Sequence, residues 1–306
     1  MDLKIGAAPN LNRMSRENGA SLALFLAASA WGLYWFPLRE MEKVGITGTW
    51  GVAYFNLFPA LVLLPYIFWN GRTQLLHKRK VLAIAIASGI GLGFYATSMV
   101  LSSVVRATFL FYLMPVWATI IGAFWLNERL TKGRYFAIGG GLLGLWLLLS
   151  GSSTTDFPLN IGDLFAVLAG FLWGLGAASM KRWPEAPVAA TSAAQFLIAV
   201  IFCMGLGAFL FPDSLPTMPQ LKAAFPLSFG ASTLILLPSI FVIFWASRIV
   251  YPGRGGILMM SEVMVAILSA SILLPEETLS FQQWIGGATI LFACVIEVRS
   301  GSAPHP

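Results

Sequence analysis

Long apolar stretches separated by short polar segments account for nearly the whole chain. A helix needs about 17–25 predominantly apolar residues to cross the hydrocarbon core of a bilayer. Ten stretches qualify, at residues 20–38, 50–69, 81–102, 107–126, 134–150, 162–180, 188–211, 223–247, 255–274 and 282–298. No comparable length of chain remains for a soluble domain, and the short alternating strands of a barrel are absent. The pattern predicts an all-α polytopic membrane protein with ten transmembrane helices.

The fourth and fifth stretches are echoed by the ninth and tenth. The fourth contains Pro115 and runs out into the sequence ERLT at residues 128–131. The ninth runs out into ETLS at residues 277–280, and a final apolar stretch follows in both places. The proline has no counterpart in the second copy. Internal repeats take precedence over other sequence signals because they determine the architecture.

A second echo joins the beginnings of the two copies. The first stretch contains Trp31-Gly32 and the sixth contains Trp173-Gly174. The stretch that follows each pair carries one central amide, Asn56 in the first copy and Gln195 in the second. The order of features is therefore the same in both halves, and each half contains five predicted helices.

This repetition divides the chain into two units, residues 1–155 and residues 156–306. Five helices are an odd number, so the first and last helices of a unit end on opposite sides of the membrane. The second unit must then insert in the opposite orientation to the first. We therefore expect two inverted five-helix repeats.

Charged residues are scarce and unevenly placed. Hydrophobic residues make up 58% of the chain and charged residues 10%, against about 25% charged in soluble domains. With the N-terminus in the cytoplasm, fifteen Lys and Arg fall on the inner side and four on the outer side. The four are Arg39, Lys43, Arg106 and Lys222. This bias predicts cytoplasmic termini and explains the net charge of +6 without a nucleic-acid partner.

The first stretch also resembles a secretory signal. Basic residues precede the apolar residues 22–27, and Ala28-Ser29-Ala30 would fit a cleavage site. The apolar run nevertheless continues to residue 38, and its counterpart at residues 162–180 lies in the middle of the chain. We therefore expect a retained first helix.

Catalytic and metal-binding constellations are not visible in the sequence. Cys203 and Cys294 lie inside apolar stretches without metal-ligand spacing, which is typical of small buried residues. The two histidines, His77 and His305, lie in a basic loop and at the tail. We expect no metal, no cofactor and no enzyme activity. A channel is also disfavoured, because no selectivity filter or ring of charges is present.

Aromatic and polar side chains within the stretches form a candidate substrate site. Trp31 and Trp35 share one helical face with Tyr34, which also fits an aromatic belt at the membrane interface. Asn56 and Gln195 could instead bond neighbouring helices together. The candidates for substrate binding are Trp31, Trp35, Asn56, Tyr95, Ser98, Tyr112, Trp173, Gln195 and Glu262.

Glu262 and two prolines are the candidates for mechanism. Glu262 lies eight residues past Arg254, about 12 Å along a helix at 1.5 Å per residue. An ionisable group at that depth suggests proton coupling or contact with a substrate amine. A carboxyl held by hydroxyl groups or by a helix end is the structural alternative. Pro115 and Pro238 kink their helices, and we expect them to act as hinges.

These features resemble the drug/metabolite transporter superfamily, EamA type. The resemblance covers nearly the whole chain and depends on the paired Trp-Gly dipeptides, the spacing of thirteen residues from Pro115 to Glu128, and the ERLT ending. It implies ten helices around a central cavity formed by helices one to four and six to nine. It also implies transport of a small molecule across the inner (plasma) membrane of a bacterium.

The chain departs from the family pattern at two places. Glu262 stands where relatives carry an acidic residue before the second repeat's proline, but Val263 or Met264 replaces that proline. Asn56 and Gln195 stand where many relatives carry a basic residue, which disfavours a strongly anionic substrate. The Trp-rich and Tyr-rich cavity face is most similar to that of the aromatic amino acid exporters.

The sequence therefore predicts a secondary transporter that exports small amphipathic metabolites by alternating access. Aromatic and other large neutral amino acids are the expected substrates, with proton coupling through Glu262 as an additional hypothesis. An exporter of another neutral metabolite or of a drug-like solute is the first alternative. A membrane-embedded enzyme is the second.

The orientation can be tested by cysteine labelling in intact cells. We expect Thr155→Cys to react with an impermeant maleimide, because it lies in an outer loop, and Gln74→Cys to remain unmodified. Labelling of both sites after permeabilisation is the control. Labelling at position 74 alone in intact cells would reverse the predicted topology.

Overall fold

A computed structural model describes residues 11–69, 77–102, 104–150, 159–273 and 280–300. Within these ranges the chain is helical and contains no strand. The first half forms seven helices in the described part of the chain. They are α1 (Leu11–Trp31), α2 (Trp35–Lys43), α3 (Gly48–Trp69), α4 (Lys78–Leu101), α5 (Val104–Phe111), α6 (Met114–Leu126) and α7 (Lys132–Leu149).

The second half forms another series of helices. They are α8 (Ile161–Arg182), α9 (Val188–Leu210), α10 (Met218–Ala231), α11 (Leu237–Ser247), α12 (Pro252–Met259), α13 (Ser261–Leu273) and α14 (Phe281–Ser300). A short 3-10 helix, Pro212–Ser214, precedes α10, and a π-helical segment, Ser232–Leu236, joins α10 to α11. The proposed division at residue 155 lies outside the described residues.

Nine stretches of the described chain are long and apolar enough to cross a membrane. Four of them contain two helices each, α1 with α2, α5 with α6, α10 with α11, and α12 with α13. The fifth predicted stretch corresponds to α7, which has 18 residues and begins with Lys132, Gly133 and Arg134. It packs along α14, one of the nine. The predicted ten-helix polytopic architecture is confirmed.

The main contacts between helices of the first half and helices of the second half have equivalent contacts in which the two halves change roles. The second helices of the halves, α3 and α9, pack against each other, as do the last helices, α7 and α14. The pair formed by α4 and α8 corresponds to the pair formed by α11 and α1. Likewise α6 packs on α8, and α13 packs on α1. The two repeats seen in the sequence therefore form one interlocked bundle.

The interrupted spans retain backbone hydrogen bonds at their breaks. Between α5 and α6, the amide of Leu113 donates to the carbonyl of Leu110 at 3.3 Å, just before Pro115. Between α12 and α13, the amide of Met260 donates to the carbonyl of Ile257 at 3.1 Å, although no proline is near. Pro238 is the second residue of α11, which directly follows the π-helical segment. Irregular backbone at membrane depth requires such internal bonding.

The glycine of each Trp-Gly dipeptide allows one half to contact the interrupted span of the other. A methyl group on Gly32 would lie 2.9 Å from Cβ of Val265 and would also meet the carbonyl of Glu262. A methyl group on Gly174 would lie 3.2 Å from the backbone nitrogen of Ala118. Gly32 thus leaves room that a side chain would fill, and Gly174 permits a close approach of the two helices.

The contact between α7 and α14 provides a test of this close packing. A methyl group on Gly286 would lie 2.6 Å from the backbone nitrogen of Leu148, whereas nothing lies within 4 Å of the equivalent position on Gly139. We expect Gly286→Ala to destabilise the protein by about 1–3 kcal/mol through overpacking. Gly139→Ala is the matched control and should be neutral or slightly stabilising. Thermal unfolding in detergent would measure both, and equal melting temperatures would contradict the packing.

Candidate functional site

One cavity of about 730 Å³ occupies the centre of the bundle. Its size is in the range of pockets that bind drug-sized ligands. Its floor is formed by Trp31, Tyr95 and Glu262, and its walls continue to Arg39 and Glu42 on α2. The cavity therefore extends from the middle of the bundle to the end that carries the turn between α2 and α3. We call this end the open end.

Aromatic rings form the floor of the cavity. Trp31 contacts Trp173 edge to face, with ring centroids 5.3 Å apart. Tyr95 stacks on Phe111 at 4.1 Å. The indole N–H of Trp173 points to the sulfur of Met259 at 3.5 Å. Both repeats therefore contribute rings, and these rings stabilise one another and separate the cavity from the opposite end of the bundle.

Glu262 is bonded to Tyr112 at the point where two interrupted spans meet. The Tyr112 hydroxyl donates to Oε2 of Glu262 at 2.6 Å. Tyr112 follows α5 directly and is fully buried, and Glu262 is the second residue of α13. A negative charge in the first turn of a helix is favoured by the helix dipole. The two breaks thus present one carboxyl group at the floor of the cavity.

The side wall of the cavity is mainly apolar and rigid. The indole N–H of Trp35 donates to Oγ of Ser269 at 2.9 Å, which links α2 to α13 across the wall. Val263, Ala266 and Ile267 of α13 line the space below this bond. Trp35 is therefore a wall residue whose ring is fixed in orientation.

Three predicted binding residues lie between helices and do not line the cavity. Asn56 donates to the carbonyl of Val52 at 2.8 Å, and Ser98 donates to the carbonyl of Tyr95 at 2.7 Å. Gln195 is fully buried on α9. The structure thus brings together Trp31, Trp35, Tyr95 and Glu262 around the cavity, with Tyr112 and Trp173 beneath its floor.

A buried ionic cluster at the other end of the bundle was not predicted. Arg134, at the start of α7, bonds to Glu128 and to Glu297 near the end of α14, with Nε 2.9 Å from Oε1 of Glu297. All three residues are buried. Burial raises the pKa of Glu128, although Arg134 beside it acts in the opposite direction. In the sequence these three residues lie at the ends of apolar stretches, where charged residues usually belong to loops. The sequence does not show which of these ends meet.

Further polar contacts lie at the same end as this cluster. Arg254 bonds to Glu17 at 3.3 Å and to the side chain of Asn18 at 3.1 Å. Lys181 bonds to the carbonyl of Ile249. These contacts join α1 to α12, and α8 to the connection between α11 and α12, opposite the open end. We call this the closed end.

The two cysteines are buried, as expected. Among the residues that the structure describes, no group of three His, Cys, Asp or Glu could hold a metal ion. The residues that line the cavity offer hydrogen bonding, aromatic contact and the charge of one carboxyl group at the floor.

Similar proteins agree with a carrier architecture. A segment of 123 residues, 39% of this chain, is 32% identical to 40% of the S-adenosylmethionine uptake transporter of Rickettsia felis. A segment of 163 residues, 50% of this chain, is 25% identical to 54% of the uncharacterized transporter YoaV of Bacillus subtilis. The chain therefore matches less than two thirds of either relative.

A solved structure shows the same fold along nearly the whole chain. A crystal structure described only as that of a protein has a TM-score of 0.72, covers 91% of this chain and 96% of its own, and is 18% identical. The sequence profile of the EamA-like transporter family matches residues 18–150 and again residues 160–298. These two matches coincide with the two repeats described above. The chain belongs to the EamA-like transporter family.

Proposed function

We propose that this chain exports small amphipathic metabolites by alternating access, with aromatic and other large neutral amino acids as its substrates. The observation that carries the proposal is the Tyr112–Glu262 bond at the floor of an aromatic cavity. That pair joins the interrupted spans of the two repeats. The carrier would operate in a bacterial inner membrane with both termini in the cytoplasm.

The aromatic floor supports a substrate with a flat or bulky apolar group. Trp31 and Tyr95 offer ring faces and edges at the depth of Glu262, and Trp173 packs beneath them. An aromatic contact adds about 0.5–1.5 kcal/mol to the free energy gained from area burial alone. One or two such contacts favour an aromatic side chain over a small one by roughly tenfold and still permit rapid release.

The distribution of charge supports a substrate with an amine. Glu262 is the charged residue at the floor, and Arg39 is the basic residue among those that line the cavity, where it lies at the open end. A substrate ammonium group can therefore bond to Glu262. A phosphate or a sugar nucleotide would find no cation at the floor.

Glu262 also offers a physical route to export against a gradient. If a proton and a substrate amine bind to the same carboxyl group, each displaces the other. Such competition couples outward movement of substrate to inward movement of a proton. Tyr112 would hold the carboxyl group in place in both states, because its hydroxyl can donate to an oxygen of the charged form and to the carbonyl oxygen of the protonated form.

A second candidate substrate is S-adenosylmethionine or a chemically similar sulfonium nucleoside. The observation in its favour is the similarity to the Rickettsia felis transporter that is named for uptake of this compound. A sulfonium cation over Trp31 and near Glu262 would gain cation–π and charge interactions, and adenine could stack on the aromatic floor. The volume of about 730 Å³ exceeds what one amino acid fills. Other neutral metabolites and drug-like solutes are weaker candidates, and nothing favours an enzyme.

The substrate class can be tested by counterflow in liposomes. We expect labelled phenylalanine and tryptophan to exchange at least several-fold faster than glutamate or lysine, because the floor combines ring faces with one carboxyl group. S-adenosylmethionine is measured in parallel, and protein-free liposomes are the control. Faster exchange of S-adenosylmethionine than of any amino acid would select the second candidate. Preference for glutamate, lysine or a nucleotide would refute the first.

The role of Glu262 can be tested by a change that keeps its size. Glu262→Gln can still accept a bond from Tyr112 but cannot carry a charge. We expect transport to fall at least tenfold and its dependence on pH to disappear. Glu42→Gln, at the open end of the same cavity, is the matched control and should keep the pH profile. An unchanged pH profile in the Glu262 variant would show that the carboxyl group only supports the structure.

A further inference from the structure

The two ends of the bundle are packed to different extents. At the closed end, all eight residues of α12 are buried. At the open end, residues 265–273 of α13 are half-buried or exposed, and none is buried. These two helices are successive halves of one span. The closed end must therefore contain contacts that the open end lacks.

Close contact between α6 and α12 forms the seam of the closed end. A methyl group on Gly256 would lie 2.9 Å from Cα of Pro115, and one on Gly253 would lie 3.3 Å from Cα of Thr119. A methyl group on Gly122 would lie 3.2 Å from Cγ of Pro252. The helices α6 and α12 are therefore in close contact from the breaks in the two spans to the closed end. Opening of the carrier at this end requires the seam to separate.

The buried ionic cluster lies at the end of this seam. A methyl group on Gly253 of α12 would lie 3.0 Å from Nη1 of Arg134, and one on Gly122 of α6 would meet Oε2 of Glu128. Arg134 bonds on one side to Glu128, in the connection from α6 to α7, and on the other side to Glu297 of α14, with Nη2 2.7 Å from Oε1. The cluster therefore bonds the connection after α6 to the α7–α14 pair and packs against Gly253 on the α12 side of the seam.

The internal repeat provides a counterpart of this contact at the open end. Glu128 of ERLT and Glu277 of ETLS are 149 positions apart, and the same spacing relates Arg134 to Gln283 and Leu148 to Glu297. In the structure, Nε2 of Gln283 donates to the carbonyl of Leu148 at 3.3 Å. The contact between Arg134 and Glu297 is thus repeated between Gln283 and Leu148. The contact at the closed end is an ion pair between side chains, and the contact at the open end is a neutral bond from a side chain to a backbone carbonyl.

We propose that the Glu128–Arg134–Glu297 cluster is a latch that holds the closed end shut, and that the neutral bond between Gln283 and Leu148 makes the open end the easier one to separate. Charge-assisted hydrogen bonds are roughly twice as strong as neutral ones. Arg134 donates to two carboxyl groups, whereas the Gln283 side chain, within the described residues, donates to the carbonyl of Leu148 and accepts from the amide of Ser280. The carrier consequently rests with its cavity accessible from the Arg39 end.

Reciprocal substitutions test the latch. Arg134→Gln with Glu297→Leu gives the closed end the residues of the open end. Gln283→Arg with Leu148→Glu gives the open end the residues of the latch. Each double variant is made in protein whose two native cysteines are replaced by alanine.

Each double variant carries one reporter cysteine. The cavity reporter is Ala266→Cys, on the cavity wall. The closed-end reporter is Ser247→Cys, at the last residue of α11, which lines a small pocket with residues of α8 and α12 at the closed end. The parent protein for each comparison carries the same reporter and lacks the latch substitutions.

Maleimide labelling rates in detergent measure the exposure of each end. We expect the first double variant to label the closed-end reporter several-fold faster and the cavity reporter several-fold slower than the parent protein. We expect the second double variant to slow labelling of the cavity reporter. Opposite changes at the two reporters distinguish a shift in conformation from general loosening. Faster labelling at both reporters, or unchanged rates in a folded first variant, would overturn the proposal.

Glu128→Gln keeps the result interpretable if a double variant does not fold. It removes one charge and leaves the Arg134–Glu297 pair, so the same opposite changes are expected with smaller size. Rates equal to those of the parent at both reporters in this folded variant would also overturn the proposal. No substrate is used in these measurements. Failure of the latch would therefore leave the proposed substrate untouched, and failure of amino acid transport would leave the latch untouched.

Discussion

The need to pair every backbone amide and carbonyl inside the membrane determines this structure. An unpaired polar group in hydrocarbon costs several kcal/mol, so a spanning segment is helical wherever lipid surrounds it. An interruption is tolerated only where protein or water replaces the missing helix bonds. The two central interruptions, after α5 and after α12, lie against each other in the bundle. There the spans depart from helical geometry, and Tyr112 meets Glu262.

The sequence was sufficient for the architecture because the membrane enforces it. Span length, the repeated Trp-Gly dipeptides and the ERLT and ETLS endings each depend on local spacing, and the ten helices followed from them. The position of Glu262 at the cavity floor was also predictable, because depth follows from distance along a helix. Its bond to Tyr112 was not, because it joins residues 150 positions apart on different helices.

Other features depend on which faces of the helices meet, and periodicity in an apolar stretch does not show this. Asn56 and Ser98 have the composition of cavity residues, yet their helices turn them towards backbone carbonyls. Arg134 and Glu297 sit near the ends of apolar stretches and are nevertheless buried, because the two stretches run side by side in opposite directions. No proline marks the break at Met260 in the sequence. The break lies next to the contact between Gly32 and the carbonyl of Glu262, which the sequence does not show.

The charged mouth of the cavity has a kinetic consequence. Arg39 and Glu42 line the way in from the open end, whereas the small pocket at the closed end is bounded by Ser247, Tyr251 and Pro252. A solute that arrives from the two sides therefore meets different groups before it reaches the same floor. Half-saturation concentrations for influx and efflux will differ, and so will the maximal velocities. Detailed balance fixes how the ratio of maximal velocity to half-saturation concentration for influx compares with the same ratio for efflux. The residues at the mouth therefore alter how fast a substrate gradient is reached and leave its final size unchanged.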